Sequence, residues 1–399
     1  MSLLSGVRVL DLSLQLPGPF CTLMMADHGA DVVKVDEPVP RVRNPFGGED
    51  RGMSPTDRYL NRGKRSLTLN LKTEEGRAIF RALAARADVV VEVFRPGVVR
   101  RLGVDYETLS GLHPGLVYCS ISGFGQSGPM REVAGHDINY ISYAGILGLC
   151  GGREGDPAIP PVQIGDLFGG AMMALSGILM ALLSRQATGK GCWVDVSMTD
   201  GAAAMLSIHS AACLAGMPSP GRGDMMLTGM FPCYEVYRCA DGKYVGLGAL
   251  ESWFWERLVA ALGREDLRDR QYAVGEEGAR VREELGAIFA GRSRDEWARF
   301  FEGKDVCLSP VLDLPEALSH PNLRAREMVV EVESPLGGSD LQPGLPLKFR
   351  PRDGAGELAV APRRAPRLGE HDEEILREIG CDAERIARLR ESGVIRGGG

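Results

Sequence analysis

The chain reads as an α/β protein built on a largely parallel sheet. Two observations predict this. The first 38 residues spell a strand–helix–strand unit, and the same alternation then repeats to about residue 125. Residues 7 to 13, VRVLDLS, are apolar and β-branched, as a buried strand requires. PGPF follows, then CTLMMADHG with helical spacing, ended by Gly29 as a C-cap glycine ends a helix. DVVKVDEP, 31 to 38, is the second strand, so the unit is a right-handed parallel crossover.

RSLTLNLKT (65–73) alternates as a strand, and EEGRAIFRALAARA (74–87) is an amphipathic helix with acids in its first turn. DVVVEVF (88–94) is a strand closed by Arg95-Pro96-Gly97, and GLVYCSISGFG (115–125) is another. Ligands of such sheets bind beyond the C-terminal strand ends, where Arg95, the 123–128 turn and His136 follow. Residues 134–145 are helix-like. A long helix is predicted over 162–186, apolar nearly all round and rich in small residues, hence central and buried. WVDVSMTDGAAAMLS (193–207) gives a strand and a helix. Residues 216–230 turn to Gly, Pro and Met and read as a linker or mobile loop. FPCYEVYRCADGKYVGLGA (231–249) is a hairpin turning at Asp241-Gly242, followed by helices and a strand over 305–313. The expected organisation is a large domain over 1–215, a small α+β domain over 225–320, and a return to the large domain over 321–399 through Pro-rich connections to a helical tail.

Composition narrows the function. Apolar residues make up 44% and charged residues 25% of the 399, values of an ordinary globular chain rather than a disordered one. Lys and Arg number 46 against 53 Asp and Glu, a net charge of −7 without a long basic run, so nucleic acid is not an expected partner. No apolar run reaches the roughly 18–20 residues of a membrane span, and the opening residues lack the pattern of a secretory signal. The nine cysteines contain no CxxC pair, which argues for free thiols in a reducing, cytoplasmic setting and against a zinc site. The first turn, Q-L-P-G-P-F, is not G-x-G-x-x-G, and Pro17 and Pro19 lack the N–H groups that would cradle a pyrophosphate.

Three ionisable residues stand out by context: His136 in G-H-D, Asp166 in I-G-D-L-F-G-G, and Glu251 directly after the hairpin. Each also reads as an ordinary helix-start residue, and Asp137 as a first-turn partner of the helix dipole. As chemistry, a histidine and an aspartate on opposite faces of a carbon form a two-base pair, and a glutamate on the histidine fixes its tautomer. Asp166 alone is instead a candidate nucleophile toward a thioester. The cations Lys34, Arg62, Lys64, Arg65, Lys72, Arg95, Arg100 and Arg101 supply anion-binding candidates.

Taken in order, GVRVLDLS, PGPF, HGADVVKVDEP, LNRGKRSLTLNLKTEEG, FRPG, GFGQSGP, GHDINYIS, GDLFGGAM, TGKGCWVDVSM, CADGKY and APRLGEHDEEIL resemble the family III (CaiB/BaiF-like) CoA-transferases, a group that also holds the α-methylacyl-CoA racemases. GHDINYIS and the Glu251 region resemble the racemase branch; Val162 departs from it, standing where that branch has an asparagine four residues before the aspartate. The resemblance implies a Rossmann-like sheet, a smaller α+β domain and an interlocked homodimer. It implies an acyl-CoA substrate without a separate cofactor, coenzyme A being part of the substrate. It gives His136, Asp166 and Glu251 as catalytic residues, and Lys34, Lys72, Arg95, Arg101 and Asp137 as substrate contacts. The implied reaction is inversion at C2 of a 2-methylacyl-CoA. The alternative is CoA transfer between carboxylic acids through an acyl group on Asp166.

Overall fold

The computed structural model describes residues 2–39, 53–218, 221–352 and 361–396. The chain divides into two compact units, Met1–Ala144 with Pro161–Leu206 and Asn322–Gly399, and Gly145–Pro160 with Ser207–Pro321.

The first unit carries six strands: β1 (Arg8–Asp11), β2 (Asp31–Asp36), β3 (Arg65–Thr68), β4 (Val89–Glu92), β5 (Val117–Ser122) and β6 (Trp193–Ser197). They pair in parallel in the order β3-β2-β1-β4-β5-β6, the Rossmann order. β4 and β5 are buried along their whole length, which is why they read as unbroken apolar runs. Strand parity sorts their side chains into two cores. Val9, Val89, Val91, Cys119 and Ile121 meet Met24, Met25, Ala174 and Ile178 on one face. Leu10, Val33, Val90 and Tyr118 meet Ile79, Phe80, Ile375 and Leu389 on the other. Helix Pro17–Asp27 covers the first face, with Gly29 (φ +96) turning the chain into β2 as its sequence predicts.

The C-terminal helices Asp372–Glu378 and Ala383–Glu391 complete the second face. Asp372 ties them to the sheet by accepting from the Thr68 backbone N–H and hydroxyl, both at 2.6 Å. Preceding them, Val329–Glu333 and Ser339–Pro343 form an antiparallel hairpin where connections were expected.

The predicted long helix starts as a π-helix, Gly165–Met172, and continues as an α-helix, Met173–Thr188. It is half-buried rather than fully buried: Ala174, Ile178 and Ala181 face the core, while Met180 and Leu183 are 66% and 68% exposed. The 24 residues from Gly165 to Thr188 are long and apolar enough to cross a membrane by length and composition, although no such run was expected. Their buried face packs on the sheet, as a core helix of an α/β unit does.

In the second unit, β7 (Tyr234–Arg238) and β8 (Tyr244–Gly248) form the predicted hairpin, with Gly242 at φ +78 in the turn, and β9 (Leu308–Pro310) adds to β8. Trp255, Val281, Leu285, Phe289 and Trp297 from helices Ser252–Leu262, Gly275–Phe289 and Arg294–Phe301 fill its core. The segment 145–160, expected in the large domain, belongs to this unit, as do the described residues of the 216–230 loop; 219 and 220 lie outside the described residues.

Candidate active site

The turn leaving β1 is fixed by a buried carboxylate. Asp11 and Lys64 are both fully buried, with Lys64 Nζ 3.1 Å from Asp11 Oδ2. Asp11 also accepts from the Ser13 N–H at 2.9 Å and from the Ser13 and Thr22 hydroxyls, and Lys64 donates to the Pro19 carbonyl at 3.1 Å. Burial pushes the Asp11 carboxyl up, but the ammonium groups of Lys64 and Lys34 and the two hydroxyls outweigh it and hold the group below its usual value. One ion therefore gathers residues before and after PGPF. Gly18 closes the turn, since a Cβ there would lie 2.1 Å from Ser13 Cβ.

Beyond this turn lies a cavity of about 470 Å³. Its lining comes from Leu14, Gln15 and Pro17 after β1, Val93 to Pro96 after β4, Ile121 to Gly123 around the end of β5, and Met198 after β6, joined by His136, Asn139, Tyr140 and Asp166. β1 and β4 are neighbours whose crossovers leave in opposite directions, so the cavity sits at the switch point where α/β sheets bind ligands.

His136 is brought there by the helix Asp137–Tyr143, which it caps in extended conformation; its N–H donates to Asn139 Oδ1 at 3.0 Å. Tyr140 anchors this helix. Its hydroxyl donates to the Gly135 carbonyl, and its ring meets Phe124 edge-on at 5.5 Å. Three glycines make room for it: a Cβ at Gly123 or Gly135 would fall 2.4 or 2.7 Å from its Cε1, and one at Gly165 3.1 Å from its Cβ. Burial pushes the Tyr140 hydroxyl up to about 12.

Asp166 sits at the start of the π-helix, an element frequent at functional sites. Close backbone contact seats it: a Cβ at Gly169 would lie 2.2 Å from the Met198 carbonyl oxygen, and one at Gly201 2.5 Å from Gly169 Cα. Asp137 Oδ1 accepts from the Asp166 N–H at 3.0 Å. Val162 is 44% exposed, and the carboxylate that meets the Asp166 N–H is that of Asp137 on another helix. Burial first, and the Asp137 charge second, push the Asp166 carboxyl up to about 7. Burial also raises Asp137, against the backbone N–H groups of Asp166 and Gly165 that favour its anion. The site thus holds a carboxyl able to take or give a proton near neutrality, in one cavity with an imidazole.

The remaining predicted residues fall in different places. Arg95 lines the cavity, is exposed, and makes no side-chain hydrogen bond or ion pair among the described residues. Arg101 is exposed on the short helix Val98–Leu102 and does not line the cavity. Lys72 is half-exposed and 2.6 Å from Glu37. Lys34, expected among the substrate contacts, is interior: its side chain is 7% exposed and bound to Asp36 at 2.6 Å. Strand register explains this, since Lys34 stands opposite Asp11 in the β1–β2 pair and serves the buried charge cluster. Glu251 is exposed at the start of helix Ser252–Leu262 in the second unit, whereas the cavity lining belongs wholly to the first. Gln15 and Tyr140 were not singled out from sequence. Among the described residues no group of three or more His, Cys, Asp or Glu side chains is arranged to hold a metal ion.

Comparison with known proteins agrees with this architecture. The CoA-transferase family III profile matches residues 4–372. Alpha-methylacyl-CoA racemase of Mus musculus is 37% identical over 98% of this chain and 97% of its own length. Succinyl-CoA:mesaconate CoA-transferase of Haloarcula marismortui is 36% identical over 96% of this chain and 98% of its own. The crystal structure of a CAIB/BAIF family protein from Brucella suis superposes with a TM-score of 0.80 at 30% identity, covering 95% of this chain and 99% of that one.

Proposed function

Because the chain belongs to CoA-transferase family III, we propose that it is an acyl-CoA epimerase of the α-methylacyl-CoA racemase type. One observation carries the choice: Asp166, its carboxyl raised to about 7, lines the same cavity as His136. Such a pair suits proton transfer in both directions near neutral pH. One base takes the C2 proton of the 2-methylacyl thioester, and the C–H electron pair passes into the enolate. The conjugate acid across the cavity then delivers its proton to the opposite face. The proton balance closes without a redox partner. Asp137 is a positioning residue that sets the seat and proton affinity of Asp166. Glu251 is assigned the acid that fixes the imidazole tautomer. Arg95, with Arg101 and Lys72 as further cations, is assigned to the CoA moiety; Lys34 is not. The apolar side chains of Met180 and Leu183, exposed on a single chain, support a homodimer that covers them.

The similarity to a succinyl-CoA:mesaconate CoA-transferase favours a second reading. In it the Asp166 carboxylate attacks the thioester carbonyl and CoA thiolate leaves, giving an acyl–aspartyl anhydride. The thiolate then attacks the Asp166 carbonyl and releases the donor carboxylate. The aspartyl-CoA thioester passes CoA to a second carboxylate by the reverse steps, which free Asp166. A carboxyl raised to about 7 is partly ionised at neutral pH and serves this reading too, whereas His136 in the same cavity has a role only in the first. The test is a panel of 2-methylacyl-CoAs in deuterium oxide, with and without a carboxylate acceptor. Deuterium entering C2 without acceptor supports the epimerase. CoA appearing on the acceptor, with a hydroxylamine-trappable acyl group on Asp166 and no C2 exchange, replaces it with the transferase.

A further inference from the structure

We propose that Gln15 is a substrate-binding residue whose carboxamide donates to the carbonyl oxygen of the acyl thioester, an inference that rests on the acyl-CoA reading above.

Gln15 has φ +64, in the left-handed region that glycine and asparagine tolerate and other side chains resist. Of the four non-glycine residues with positive φ among the described residues, it alone lines the cavity. Such a conformation persists where its surroundings over-determine it. Here they do. Two residues before it, Ser13 is bound to Asp11; four and seven residues after it, the Pro19 carbonyl and Thr22 hydroxyl join the same buried ion cluster. Gly18 presses against Ser13 from inside the turn.

The strain is not offset locally. The Gln15 carboxamide makes no hydrogen bond among the described residues and is exposed. A turn residue with a purely structural part would cap the turn or be replaced by glycine without loss. Gln15 instead holds an unpaired neutral donor at the switch point, in the cavity that holds Asp166 and His136. As a neutral donor, the amide can bind a carbonyl without adding a charge beside the acid–base pair. As C2 loses its proton the carbonyl oxygen gains charge, so the N–H···O bond strengthens toward the transition state and acts on kcat.

The test uses the full-length protein and Gln15→Gly, which accepts the backbone conformation and so keeps the fold. C2 exchange in the variant should lose about 100-fold in kcat, with a Tm equal to or above the parent's. Calorimetric titration provides a readout free of turnover: a 2-methylacyl-CoA against its thioether analogue, which lacks the carbonyl. The parent should bind the thioester about 10-fold more tightly than the thioether, and Gln15→Gly should lose that preference. Unchanged kcat, a rise in KM alone, or an unchanged thioester preference overturns the proposal. A parent that prefers the thioester yet neither exchanges C2 protons nor transfers CoA sinks the enzymatic reading and leaves the Gln15 contact standing.

Discussion

Replacing Asp137 by Asn tests the electrostatics of the site with little change of shape. The amide oxygen still accepts from the Asp166 N–H, now 3.0 Å from Asp137 Oδ1, so the seat of Asp166 is kept. The negative charge is removed. Burial is the larger cause of the rise of Asp166 from 3.8 to about 7, and Asp137 the smaller. The variant should therefore bring the Asp166 carboxyl down by about one pH unit, or about 1.4 kcal/mol. The sign follows from the role. Asp166 must be ionised to take a proton, so its titration forms the acid-side limb of the C2-exchange profile in kcat/KM. In Asp137→Asn that limb should move to lower pH by about one unit while the plateau stays within a fewfold of the parent. The assay is deuterium exchange at C2 between pH 5 and 9. A limb that does not move, or moves to higher pH, refutes the assignment of Asp137 as the charge that tunes Asp166.

Asp166→Asn should be more stable than the parent at pH 8 by about 2–4 kcal/mol in denaturant unfolding, while losing inversion at C2. The folded carboxyl binds its proton more tightly than the unfolded one, so the parent loses stability as pH rises from about 4 to about 7; the advantage of the variant should shrink toward pH 4, and a pH-independent difference would contradict the shift. Lys64→Met leaves the fully buried Asp11 carboxylate without its ammonium and should cost about 3–5 kcal/mol, read as a lowered denaturation midpoint; a loss under 1 kcal/mol would show that the ion pair does not hold the turn. Gly123→Ala puts a methyl 2.4 Å from the Tyr140 ring and should lower Tm by an amount equivalent to about 1–3 kcal/mol, with exchange falling as the His136 helix shifts; an unchanged Tm would show that Tyr140 is free to move.

Much of the fold was legible because it is written locally. β1, β4 and β5 lie inside a parallel sheet, so burial on both faces leaves runs such as DVVVEVF that nothing else explains. Gly29 and the Asp241-Gly242 turn were legible for the same reason, as single positions whose backbone demands glycine. The 329–343 hairpin was missed although VVEVE alternates and Gly337 and Gly338 both take positive φ; its strands are largely exposed and carry a weak apolar signal. The π-helix left no trace in sequence, because a shift from four- to five-residue hydrogen bonding does not change which residues are apolar. His136 and Asp166 were visible as polar residues at helix starts, but that they share a cavity depends on strand order, which no local pattern records. The interior place of Lys34 follows from strand parity, which a resemblance of short motifs does not record: standing between valines in β2 and opposite Asp11, its side chain turns inward and binds Asp36 at 2.6 Å. Gln15 gave no signal, since only backbone geometry marks it.

Separating the two enantiomers of a 2-methylacyl-CoA and following each alone in deuterium oxide tests the pairing of His136 with Asp166 most directly. With His136→Ala and Asp166→Asn, the account predicts complementary behaviour: each variant exchanges the C2 hydrogen of one enantiomer, a different one for each, and neither inverts the centre. Exchange of both enantiomers by either variant, or inversion surviving the loss of either side chain, would contradict it.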